Sequence, residues 1–219
     1  MDSKVILAAG MFGLGMYWLW KRKNDDEIDT QRANNNTADL NDNATNAALK
    51  IKQALDWEKV GGMVWHGYMG GITSSRGDTK ARANLFNACL AVTDWKATQQ
   101  KFSAICGNEC TLLDALQETT DNETYNLALE LIKGKKVITT TACRAALQNH
   151  LVKNNEAVGE QYDKSFAADT ILGAYVTTYN GNVSFINGFA TDDYWITEFQ
   201  DLVKTSGYTS ATNVTIVTP

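Results

Sequence analysis

The sequence predicts a mainly α protein with a single N-terminal transmembrane helix, a polar tether, a helical body and a small β-hairpin element near the C-terminus. Three observations predict it. Residues 5–20 carry no charge and end against a basic cluster. Between residues 44 and 134 apolar side chains recur at three and four positions, the helical period, with Asp or Thr placed to cap successive segments. Asn180-Gly181 sits between two strand-like runs, ILGAYVTTY and NVSFI, and supplies the positive φ angles a type I′ hairpin turn requires.

The predicted anchor comprises residues 1–23, with Val5, Leu7, Phe12 and Leu14 in the apolar run and Tyr17, Trp18 and Trp20 just before the basic cluster Lys21, Arg22 and Lys23. At ~1.5 Å per residue the apolar run spans about 24 Å, and snorkelling by Lys4 and the basic cluster extends it toward a ~30 Å hydrocarbon core. Aromatic rings beside the basic residues favour headgroup depth. A signal peptide is the competing reading, but it needs small residues after the apolar run, and this one ends in Trp-Leu-Trp-Lys. The basic flank places the body on the cytoplasmic side, or on the side that becomes in an assembled particle. The expectation is a single-pass protein of a virion membrane or bacterial envelope, with a lipid bilayer as partner.

The net charge is −5; residues 1–23 contribute +3, which leaves −8 on the rest. An acidic body is a poor binder of nucleic-acid phosphates, because such binding draws on Lys and Arg that release counterions, so nucleic acid is set aside as a partner. Residues 24–46 are polar and Asn-rich and read as a solvated tether. The alternation from Asp39 imitates a calcium loop, but Ala44 stands where the turn needs Gly and Lys50 where a bidentate Glu is needed.

Residues 47–160 are expected to form the helical domain. Ala44, Ala47, Ala48, Ile51 and Leu55 open it. The glycines of GGMVWHGYMGG (61–71) then break the pattern and present Trp65, His66 and Tyr68 as a possible interaction platform. Asp78 is placed to cap a helix bearing Ala81, Leu85, Ala88, Cys89 and Val92. Asp94 caps the next, with Trp95, Thr98, Phe102 and Ile105 in register, and Thr111 opens another with Leu112, Leu113 and Leu116. Asp121 precedes the last, bearing Tyr125, Ala128, Leu129 and Ile132, which Gly134 ends. The basic run KGKK (133–136) reads as a solvated helix end. Residues 161–219 form a C-terminal α+β segment: the hairpin, a helix through Trp195, Phe199, Leu202 and Val203, and a strand in NVTIVT (213–218).

The run LFNACLAVTDWKATQQKFSAICGNECTLLDALQETTDNETYNLALELI (85–132) resembles an annexin-type helical repeat, through its apolar first helix, Thr-Asp turn, Phe102 and Leu-Leu-x-x-Leu. Similar modules lie behind an N-terminal anchor in proteins of Bacteroidetes and their phages, virion-associated ones included. The resemblance implies a structural protein of a bacteriophage particle, partnered with other structural proteins, a capsid or a second copy of itself. The family's calcium loop, Gly-x-Gly-Thr with a distal acid, is absent, so calcium-dependent lipid binding is not implied.

No catalytic constellation is legible. GITSSRG (71–77) has the wrong frame for a nucleophile elbow or a phosphate cradle. Glu58 and Glu109 are the candidate acids for an alternative reading as an envelope peptidoglycan hydrolase, without a recognisable second carboxylate. A ligand-binding envelope module is the other alternative. Arg76-Gly77-Asp78 is a short chance match, and the sequons at Asn35, Asn43, Asn122, Asn182 and Asn213 reflect Asn and Thr richness. Cys106 and Cys110, at C-x₃-C spacing, are read as thiols or as one disulfide, and the histidines His66 and His150 complete no zinc knuckle. No cofactor or metal is expected.

Overall fold

A computed structural model describes residues 43–68, 75–191 and 201–219, with the side chains of 56–68 and 75–78 outside that description. Residues 43–219 form one unit. Five helices come first: α1 Asn43–Tyr68, α2 Ser75–Leu90, α3 Trp95–Ile105, α4 Leu112–Thr119 and α5 Asn122–Lys133. Seven strands follow: β1 Lys136–Thr139, β2 Cys143–Leu151, β3 Tyr162–Phe166, β4 Ile171–Tyr179, β5 Asn182–Thr191, β6 Leu202–Ser210 and β7 Val214–Val217.

The mainly α expectation is thereby corrected. The described region is 41% helix and 35% strand, and every ladder of its seven-stranded sheet is antiparallel. The boundary expected at 160/161 falls inside this sheet, because β1 and β2 belong to it as fully as β3 to β7. The single-pass membrane expectation is corrected as well: among the described residues no helix is long and apolar enough to cross a membrane. The anchor residues Val5, Leu7, Phe12, Leu14, Tyr17, Trp18, Trp20, Lys21, Arg22 and Lys23 lie outside the described residues.

Local signals account for the helices. The Asp94 carboxylate accepts from the Ala97 amide at 2.9 Å, and Asp121 accepts from the Thr124 amide at 2.7 Å. Thr111 accepts from the Asp114 amide at 3.2 Å and donates to the Asp114 carboxylate at 2.7 Å, a reciprocal cap. Gly134 ends α5 in extended conformation, φ −67°, where a Cβ would stand 2.6 Å from the Glu130 carbonyl oxygen. Two expectations fail here. Asp78 lies inside α2 rather than capping it. Gly61, Gly62 and Gly67 do not break α1, which continues through them to Tyr68.

The sheet order is β3-β2-β6-β5-β4-β1-β7. Three short links, residues 140–142, 167–170 and 211–213, join β1 to β2, β3 to β4 and β6 to β7. Each of these pairs has three strands between its members in the sheet order. Across a flat sheet that separation is about 19 Å, at ~4.8 Å per strand. Links of this length reach about 14–17 Å when fully extended. The sheet must therefore curl until its two ends approach. Phe166 of edge strand β3 and Val214 of edge strand β7 accordingly pack on the same cluster of Val137, Ala145, Leu147, Leu172, Val183 and Phe185. The result is a partly closed barrel around a small core.

Thr139 holds the closure together. Its hydroxyl donates to the Ala167 carbonyl at 2.7 Å and accepts from the Thr170 amide at 2.8 Å. Gly207 leaves the space that lets Leu147 and Phe185 meet across β6; a Cβ there would lie 2.4 Å from Leu147 Cδ2 and 2.8 Å from Phe185 Cζ.

The helices pack outside the barrel, with α2 against β5. The Phe86 and Phe189 rings lie 5.0 Å apart at 56°. Asn87 Nδ2 donates to the Phe189 carbonyl at 2.8 Å, and the Phe189 amide donates to Asn87 Oδ1 at 2.7 Å. The β4 ladder with β5 ends at Ile186, so the Asn87 amide stands in for the missing strand.

Candidate interaction surface

Residues directly opposite across an antiparallel ladder point to the same side of the sheet. Phe185, Gly207 and Leu147 are aligned in this way and point into the barrel. The alternate row, Thr177, Ser184, Tyr208 and Ala146, therefore points outward. One step toward the β4–β5 turn, Tyr179, Asn182 and Ser210 form a second outward row.

These rows lie beyond the part of the sheet that the helices cover. Tyr179 is 73% exposed, Tyr208 45%, and neighbouring Val176 55%. Tyr208 Oη accepts from Gln161 Nε2 at 3.0 Å, which orients its ring. The turn at Asn180 (φ 48°) and Gly181 (φ 74°) has both residues left-handed, the type I′ geometry the sequence foretold, and it sets the position of Tyr179.

The charge pattern separates this face from its surroundings. Within β4, β5 and β6 the two rows hold hydroxyl, amide and aromatic groups and no ionised side chain, while the first row continues across Ala146 to Asp163. Charge appears at the β2–β3 side, where Arg144 meets Asp163 at 3.5 Å across an exposed ion pair. Such a Tyr, Ser and Asn composition suits the recognition of another surface, since tyrosine gives large contact area with few rotatable bonds and the small polar groups adapt their hydrogen bonds. It does not form the enclosed pocket a small ligand needs.

The strongest electrostatic perturbation among the described residues lies elsewhere and is sealed. Lys136 begins β1 and points toward the helices, fully buried. Its ammonium donates to the Leu131 carbonyl in the last turn of α5, where the helix dipole favours a cation. Burial, offset in part by the charge of the Cys89 sulfur when ionised, brings its pKa from 10.5 down to about 8. Burial pushes the Cys89 thiol up from 9.0 to about 12, against the pull of Lys136. A protonated, inaccessible thiol is a poor nucleophile. The KGKK run is thus not a solvated helix end throughout, because Lys136 turns inward, while Lys133 lies 5.4 Å above the Trp95 ring.

The predicted platform divides. Trp65, His66 and Tyr68 lie in the last turns of α1, and their side chains are outside the description, as is that of Glu58. Glu109 is exposed on the α3–α4 loop. His150 lies on β2, with Nδ1 buried and no hydrogen-bond partner among the described residues. Among the described residues no group of three or more His, Cys, Asp or Glu could hold a metal ion. The outward tyrosine face went unread because Tyr208 and Ser210 belong to a strand the sequence did not reveal; the signal was the alternation in KTSGYTS. No family model, curated protein or solved structure matches the chain.

Proposed function

We propose that this chain is a structural interaction protein, a non-enzymatic subunit of a larger protein assembly. The observation that carries the reading is the uncovered outward face of β4, β5 and β6, with Tyr179 and Tyr208 exposed amid uncharged polar groups. The occupant is another protein surface of uncharged, partly apolar character. Docking confined to the uncharged rows of β4, β5 and β6, with the Arg144–Asp163 pair at their rim, depends little on salt, because screening acts on charges.

The test is assembly with the natural partner proteins. Tyr179→Ala with Tyr208→Ala should leave the circular dichroism and unfolding midpoint of the protein unchanged and remove it from the assembly. Undiminished incorporation of the double variant would sink the proposal. So would loss of incorporation between about 50 and 500 mM salt for the wild type, since that marks an ionic interface.

A further inference from the structure

The four cysteines are not equivalent. Cys89 is buried within α2, with its thiol held protonated. Cys143 starts β2, where the Thr209 hydroxyl lies 3.9 Å from its sulfur. Cys106 and Cys110 are both partly exposed, and they flank the same turn between α3 and α4.

That turn folds back tightly. The Gly107 amide donates to the Ala104 carbonyl at 3.1 Å, Asn108 to Ser103 at 2.7 Å, and Glu109 to Cys106 at 3.3 Å. Gly107 (φ 67°) and Asn108 (φ 63°) are both left-handed, which reverses the chain after α3. The bond from Glu109 to Cys106 closes a four-residue turn, whose ends lie within about 7 Å of each other. Cys110 is the next residue. Disulfides join α-carbons about 5.5–6 Å apart, and Cys110 stands one ~3.8 Å step beyond the end of that turn, so the path from Glu109 to Cys110 decides the closure. Gly107 has open space where a Cβ would stand, so nothing packs against that point of the loop to resist it.

We propose that Cys106 and Cys110 are a redox-sensitive clip, which closes under a small disulfide oxidant and fixes the corner between α3 and α4. The chemistry balances by thiol–disulfide exchange. One thiolate attacks a sulfur of oxidised glutathione, forming a mixed disulfide and expelling one glutathione thiolate. The second thiolate then attacks the protein sulfur of that mixed disulfide and expels the other. Two protein thiols are oxidised to one disulfide, the glutathione disulfide is reduced to two thiols, and the protons pass to them. Loop closure tethers the C-cap residue of α3 directly to the residue before the Thr111 N-cap of α4.

The full chain, purified in reductant and exchanged into oxidised glutathione, tests the clip by peptide mapping after alkylation. The expected product is one peptide with Cys106 linked to Cys110, lighter by two hydrogens, with Cys89 alkylated only after denaturation. Cys110→Ser should instead leave a stable glutathione adduct at Cys106. Amide exchange at residues 107–110 should slow on oxidation and recover on reduction. Glutathione adducts accumulating on both cysteines of the wild type, a link to Cys143 or to a second chain, or unchanged exchange after closure would each overturn the proposal.

Discussion

Lys136→Met should remove a pH dependence that the wild-type fold carries. In the unfolded chain Lys136 keeps its proton to about 10.5, while in the folded chain it gives the proton up near 8. Between these limits the unfolded state binds more protons, so stability rises with pH, by ~1.4 kcal/mol for each pH unit. The full interval corresponds to about 3 kcal/mol, the cost of burying the ammonium at neutral pH. Cys89 acts in the opposite sense. Its unfolded thiol ionises above 9.0 and its folded thiol only near 12, so stability falls with pH above 9. The pair therefore gives a rise of about 1 kcal/mol from pH 8 to 9, a plateau up to about 10.5, and a decline beyond it. The methionine variant escapes the charge cost but leaves the Leu131 carbonyl without its donor, a loss of roughly 1–2 kcal/mol. It should be about 1–2 kcal/mol more stable than wild type at pH 7. Guanidinium unfolding of both proteins at half-unit steps from pH 7 to 9.5 measures the difference. A gap between the two midpoints that does not change with pH would refute the reasoning, because the buried ammonium would then not be titrating.

The other predictions concern the joints of the fold. Asn87→Ala removes both hydrogen bonds to Phe189 and should cost about 1–2 kcal/mol in urea unfolding, with amide exchange at Phe189 accelerating more than at Val183. Gly207→Ala drives a methyl into Leu147 and Phe185 and should cost about 1–3 kcal/mol; a neutral result would mean the barrel interior is looser than described. Thr139→Val keeps the shape and deletes the hydroxyl that serves Ala167 and Thr170, at about 1–3 kcal/mol, read as a lowered thermal midpoint. Asp121→Ala removes the cap of α5 and should cost about 1 kcal/mol. Backbone donation from Thr124 holds the Asp121 carboxyl below 3.8, so this contribution is present above that pH and fades as the pH falls beneath it, where the variant and wild type should converge.

Sequence periodicity found the helices and one hairpin because those signals are local. Asp94, Thr111 and Asp121 cap through amides three residues away, and Asn180-Gly181 dictates its own turn. The first half of the sheet carries no such signal. β2 reads CRAALQNHL, with Ala and Leu favouring helix, and only Ala145 and Leu147 are buried in it. It is a strand because β3 and β6 flank it. The expected helix through Leu202 and Val203 likewise gives way to β6 over those residues, since each strand of a closed sheet must satisfy its neighbours' backbone groups. Lys136 misled for a related reason. A lysine in a basic run is ordinarily solvated, and its burial comes from a β1 position that turns it back onto Leu131 of α5 and beside Cys89 of the distant α2.

The division of labour between the two sides of the sheet makes the interaction reading separable from the fold. Residues that hold the barrel, Leu147, Phe185 and Gly207, point inward. Those that join it to the helices, Asn87, Phe189 and Lys136, gather where the helices cover it. Tyr179 and Tyr208 contribute to neither set. An exposed side chain away from such joints changes stability by less than ~0.5 kcal/mol when truncated. Yet both rings are carried by paired strands, Tyr179 opposite Asn182 beside a fixed turn and Tyr208 between Ala146 and Ser184, and Tyr208 is further oriented by Gln161. Side chains already held in place lose less entropy on docking, so a rigid tyrosine face contributes more to association than its area alone would give. Residues with little effect on folding and a pre-set geometry on a bare sheet have their consequence in binding, and this is why loss of assembly with an unchanged unfolding midpoint is the outcome that separates the proposal from a structural defect.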